Sequence, residues 1–147
     1  MLIEILFAGG LVVVTVTIHA VGFHVLLRAM IRSQVLATSG FRRIIPWVIG
    51  MTCWLVLIHL LEISIWGLFY FWHGCLPDAE TAFYFSGVTY TSVGYGDLVL
   101  AKPWRMLAPL ETLMGMLMCG LSTGLFFAVV FRWMRIWVEQ NAPPMNE

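Results

Sequence analysis

The chain holds three apolar stretches, each long enough to cross the hydrocarbon core of a bilayer, which takes roughly 20 helical residues. The first runs from Leu2 to Leu27, the second from about Ile44 to Phe71, and the third from about Met106 to Phe131. No water-soluble domain of 147 residues buries so much apolar surface: 61% of the residues are hydrophobic and only 11% are charged. Between the second and third stretches lies a segment too short to cross, His73 to Trp104, which carries the string Thr91-Ser92-Val93-Gly94-Tyr95-Gly96-Asp97. The expected fold is an all-α membrane protein of three transmembrane helices plus one re-entrant helix and loop. The first stretch lacks a basic leader, carries Glu4, and is too long for a signal-peptide core, so it reads as a retained helix.

Charge placement orients the chain. Arg28, Arg32, Arg42, Arg43, Arg132 and Arg135 flank the spans on one side, against Lys102 and Arg105 on the other. The bias of basic residues toward the cytoplasm puts the 28–43 linker and the C-terminus inside and the N-terminus outside. Asp78, Glu80 and Asp97 then form an acidic outer rim that concentrates cations. The formal net charge is zero and no basic stripe appears, which argues against nucleic-acid binding. No nucleophile, acid–base pair or metal cluster points to an enzyme.

The re-entrant segment has its own start signal. Asp78 fits an N-cap and Glu80 a first helical turn, which predicts a helix over Ala79–Tyr90. A dozen residues make a helix of roughly 18 Å, enough to reach the membrane centre and no further. Its negative dipole end would point there, favouring a cation. Non-helical backbone at that depth is tolerated only where it is buried in protein or lines water. Gly94 and Gly96 allow backbone angles that a Cβ penalises. Val93 and Tyr95 are expected to point away from the axis and pack against the short helix.

At these residues the chain resembles the bacterial two-transmembrane potassium channels and the wider pore-loop channel superfamily. The likeness covers roughly Pro46 to Arg132, and its sharpest motif is Thr91–Asp97. It implies that the second span is an outer helix, Ala79–Tyr90 a pore helix, and the third span a pore-lining inner helix. It implies passive K⁺ conduction through a selectivity filter of Thr91, Ser92, Val93, Gly94, Tyr95 and Gly96. The carbonyls of Thr91 to Tyr95 would replace the ion's hydration shell, with a Thr91 or Ser92 hydroxyl as an inner ligand. One loop cannot surround an ion, so the assembly is expected to be a homotetramer. No cofactor is expected beyond K⁺ in the filter.

Several positions depart from the family pattern. Filter support falls on Asp97 with Tyr84, Phe85 and Val88. Val88 stands where some relatives carry a glutamate, and Phe85 where a tryptophan often donates to the aspartate, so Asp97 is expected to lose both partners. Ser92 replaces a commoner threonine. Val99 holds the outer-mouth position where an aromatic favours external tetraethylammonium, which predicts weak block. Gly115 and Gly120 match the spacing of an inner-helix hinge. Packing is the open alternative, because Gly120-x-x-x-Gly124 also reads as a helix-contact face.

The first span lacks the arginine array of a voltage sensor and reads as a peripheral helix packed on the outer helix. Domain limits follow: 1–43 for that helix and its linker, 44–135 for the pore domain, 136–147 for a short cytoplasmic tail. The tail around Asn141–Pro144 is expected to be disordered. Pro46 suits an opening helical turn. Cys53 and Cys119 read as small buried thiols, and Cys75 as an outer thiol, free or bridging subunits.

Ionisable groups within spans are costly and default to functional hypotheses. His59 and Glu62 share a helix face, and Glu111 lies four residues before Gly115. Bracing of helix packing and proton-linked gating both remain open for His59 and Glu62; two side chains are too few for a metal site. His19 reads as a satisfied buried histidine, and Glu111 as a brace behind the filter. Alternatives to a K⁺ channel are a nonselective cation channel of the same architecture, a coupled transporter subunit, or a non-conducting accessory membrane protein. The expected location is a plasma membrane, of the bacterial inner type, with anionic lipid as a partner for the cytoplasmic arginines.

Overall fold

The computed structural model describes residues 2–33 and 41–141, with side chains from residues 4 and 44 onward in the first two helices. Four helices follow in chain order: α1 (Leu2–Ser33), α2 (Phe41–Trp72), α3 (Ala79–Tyr90) and α4 (Leu107–Asn141). A single 3₁₀ turn, Trp104–Met106, leads into α4, and no strand occurs among the described residues. Helices α1, α2 and α4 are long and apolar enough to span a membrane. In lipid a helix satisfies its own backbone, so these apolar sequences have little alternative.

The helices outrun the apolar stretches that announce them. Helix α1 continues six residues past Leu27 and so carries Arg28 and Arg32 on its own last turns, where positive charge complements the helix dipole. Helix α2 starts at Phe41, which puts Pro46 inside it rather than in its opening turn. Proline there leaves one carbonyl of the preceding turn without an intrahelical donor. Helix α4 runs through Arg135 to Asn141, so residues 136–141, expected as tail, are helical. The side chains of Arg42 and Arg43 and the tail at 142–147 lie outside the described residues.

Helix α3 begins and ends where its caps predict. The Asp78 carboxylate accepts from the Thr81 N–H and the Thr81 hydroxyl, each at 2.8 Å. Those bonds hold its carboxyl below the usual carboxylate range, the Thr81 backbone bond most of all. The short helix wedges between α2 and α4.

Two apolar clusters hold the four helices together. One gathers Ala8 and Leu11 of α1, Trp66, Phe69 and Tyr70 of α2, Ala82 and Phe85 of α3, and Leu107 and Met114 of α4. The other gathers Leu26 and Met30 with Met51, Leu55 and Ile58, and Val129. Buried polar residues fall between the two, Thr15 and His19 on α1, Glu62 on α2 and Ser122 on α4, while Glu111 of α4 lies within the first cluster.

Helix α1 packs on α2 through an antiparallel ladder of polar contacts. Trp66 Nε1 donates to Thr15 Oγ1 at 3.0 Å, His19 Nδ1 lies 2.9 Å from Glu62 Oε1, and Trp54 Nε1 donates to the Gly22 carbonyl at 3.0 Å. These bonds fix the register that an all-apolar contact would leave loose.

Cys53 of α2 and Cys119 of α4, expected to be buried, are exposed in the single chain. A thiol is apolar enough to face lipid or another helix, so burial within its own chain is not required. Cys75 is half-buried against the first cluster, and all three thiols are free in the chain.

Candidate functional site

The loop after α3 is built on that helix's last carbonyls. Thr91 N–H donates to Gly87 O at 3.1 Å, Ser92 N–H to Thr89 O at 3.0 Å, and Gly94 N–H to Val88 O at 3.2 Å. The Thr91 hydroxyl also donates to Gly87 O, at 2.6 Å, and the Thr112 hydroxyl reaches Thr89 O from α4 at 3.1 Å. The end of the helix is thereby tied to the loop and to α4.

Beyond it the backbone alternates in hand. Ser92, Gly94 and Gly96 have φ of +56°, +54° and +76°, and the residues between them keep negative φ. Alternation of right- and left-handed conformations turns successive N–H groups to one side. Each peptide plane then presents its carbonyl on the opposite side. Left-handed backbone costs glycine nothing, but it costs Ser92 about 1–2 kcal/mol. The Ser92 hydroxyl donates to the Thr91 carbonyl at 2.7 Å.

Every residue from Thr91 to Asp97 is exposed in the single chain. Val93 is 53% exposed and Tyr95 72% exposed, so neither packs on its own short helix as expected.

Asp97 lacks both familiar partners, as expected, and takes another. Tyr84 donates its hydroxyl to Asp97 Oδ2 at 2.8 Å, and Asp97 Oδ1 accepts from Leu98 N–H at 3.1 Å. Phe85 is buried in the first apolar cluster and Val88 is half-buried, so neither serves the carboxylate. The donor comes from the residue just before Phe85, which faces the loop instead of the core.

Behind α3 stand two buried carboxylates. Glu111 is fully buried and accepts from Tyr70 at 2.7 Å and from Ser86 of α3 at 2.5 Å. One turn on, Gly115 presses against the main chain of Tyr90 so closely that a Cβ there would overlap the Tyr90 carbonyl. Gly120, the other hinge candidate, has nothing within 4 Å of where its Cβ would stand.

Glu62 is also fully buried and accepts from the Tyr90 hydroxyl and from His19. His59 Nδ1 lies 3.0 Å from the Tyr90 hydroxyl, and His59 Nε2 3.0 Å from Ser122 Oγ. The pair legible in sequence, His59 and Glu62, is therefore part of a five-residue cluster drawn from all four helices. His19 was legible as a satisfied buried histidine, but its partner was not, and nothing in sequence tied Tyr90 or Ser122 to it.

A family model described as ion channel matches residues 58–132, just over half the chain. The chain belongs to the ion channel family. The match runs from Ile58 in α2 through α3 and the loop to Arg132 in α4, and it is consistent with the pore-loop channel superfamily. Helix α1 lies outside it. Neither a curated protein nor a solved structure matches this channel significantly.

Proposed function

We propose that this channel is a homotetramer conducting K⁺ passively, with Thr91–Gly96 of four copies as its selectivity filter. The observation that carries this reading is the alternating backbone hand across Ser92, Gly94 and Gly96, within the string Thr91–Asp97. Such a strand offers a column of carbonyl oxygens, the ligand set by which potassium-channel filters replace an ion's water shell. The exposure of the whole loop supports assembly: irregular backbone at membrane depth needs protein or water around it, and one chain supplies neither. The exposed Val93 and Tyr95 side chains suit contact with a neighbouring copy.

In this reading α3 is the pore helix, α2 the outer and α4 the inner helix. The N-terminus lies outside, and the arginines at the ends of α1 and α4 face the cytoplasm, where anionic lipid can meet them. Asp78, Glu80 and Asp97 edge the outer mouth.

Purified protein in liposomes should pass K⁺ and Rb⁺ and exclude Na⁺, and native mass spectrometry should find four chains. Equal permeability to K⁺ and Na⁺ would leave a nonselective cation channel. No flux from tetrameric protein would leave an accessory subunit.

A further inference from the structure

His19, His59 and Glu62 bring two imidazoles and a carboxylate together in a layer that apolar clusters close on both sides. One atom from each lies within 4.8 Å of the other two. Both Nδ1 atoms face the same carboxylate: His19 Nδ1 is 2.9 Å from Glu62 Oε1, and His59 Nδ1 is 3.5 Å from Glu62 Oε2. Ligands about 2.0–2.1 Å from a tetrahedral zinc ion stand about 3.3 Å from one another. His19 Nδ1 and Glu62 Oε1 are already near that spacing, and a modest closure brings His59 to it. Sequence offered only two ligands; α1 supplies the third.

The outer nitrogens are placed to match. Ser122 Oγ lies 3.0 Å from His59 Nε2 and 3.4 Å from His19 Nε2. A hydroxyl oxygen accepts two N–H bonds. With each Nδ1 given to a metal, each Nε2 keeps its proton and donates to Ser122, which sets tautomer and ring orientation together. The Tyr90 hydroxyl donates to one Glu62 oxygen, leaving the other for the ion.

We propose that His19, His59 and Glu62 form a binding site for a divalent transition-metal ion of the zinc class, held between α1 and α2. Two imidazoles and a carboxylate with an open fourth position suit zinc or cobalt rather than magnesium or calcium, which take oxygen ligands. The site ties α1, outside the family match, to Tyr90, the residue just before the loop.

The test uses tag-free full-length protein in detergent, stripped with chelator and titrated with Co²⁺. One Co²⁺ per chain should bind with the visible absorption of tetrahedral coordination and be displaced by Zn²⁺. His19→Gln and Glu62→Gln should each weaken binding at least about tenfold. His24→Gln, on the exposed side of α1, should not. Should a variant misassemble, X-ray absorption of Zn²⁺-loaded wild-type protein decides, since two imidazoles per zinc are expected. Absence of stoichiometric Co²⁺ binding, an imidazole count other than two, or wild-type affinity in folded Glu62→Gln would each overturn the site. These readouts do not involve ion flux, so failure here is distinct from failure of the channel reading.

Discussion

Tyr90, the last residue of α3, donates its hydroxyl to Glu62 near the middle of α2. The bond anchors the helix end from which the Thr91–Asp97 loop departs. Because Glu62 also binds His19, the anchor extends to α1. The helix outside the family match is thus connected to the loop through two side chains.

Tyr90→Phe removes a donor from a fully buried carboxylate and an acceptor from His59. Leaving a buried polar group short of a partner costs about 1–3 kcal/mol, more where it is charged. The variant should lower the dissociation temperature of the assembled protein, followed by heating and gel electrophoresis. His19→Ala should do so comparably, and the double variant by less than the sum, because the two bonds share Glu62. Additive losses would show that the network is not one unit.

Tyr84→Phe isolates the outer contact. Its hydroxyl serves Asp97 at the exposed surface, so overall stability should change little. If Thr91–Gly96 conduct, the loop loses a brace at its outer end, and currents should decay faster under sustained K⁺ flux. Unchanged current decay would show that Leu98 N–H alone is enough to hold Asp97.

The Asp78 cap gives a pH prediction whose sign is fixed. Its carboxyl is depressed in the folded chain, chiefly by the Thr81 N–H, from an ordinary value of 3.8. The stabilisation is therefore fully present above that value and fades as pH falls through the lower folded one. Heat stability of wild type and Asp78→Ala should differ by a constant amount from neutral pH to about pH 5 and converge only in stronger acid. Asp78→Asn should keep much of the cap throughout, since an amide oxygen still accepts from Thr81.

How much of this was legible in sequence depended on how local each cause was. The limits of α3 could be read because Asp78 and Tyr90 lie within one short element and the cap is three residues from its donor. The ends of α1, α2 and α4 could not, because apolar length reports the membrane and not where the helical backbone stops. Cys53 and Cys119 were misjudged for a related reason: spanning helices are apolar all round, so no stripe marks the buried face. Tyr84 was legible as a candidate support but not as the donor to Asp97, since the loop must fold back for the two to meet. The His19–Glu62 bond spans 43 residues and needs the α1–α2 register, which no local pattern encodes.

Gly115 and Gly120 separate the hinge and packing readings of α4. A Cβ at Gly115 would overlap the Tyr90 main chain, which cannot swing aside like a side chain. Overpacking of this kind costs about 1–3 kcal/mol, and displacement of α3 would carry the loop with it. Gly115→Ala should therefore lower thermal stability and K⁺ flux together, with Gly115→Ser no better. Gly120→Ala meets open space in the chain and should leave stability unchanged. If Gly115→Ala instead assembles with wild-type stability and changes only how often the pore opens, α4 bends there and packing against Tyr90 is secondary. If Gly120→Ala destabilises an assembly of copies and not the isolated chain, its face of α4 meets a neighbouring copy.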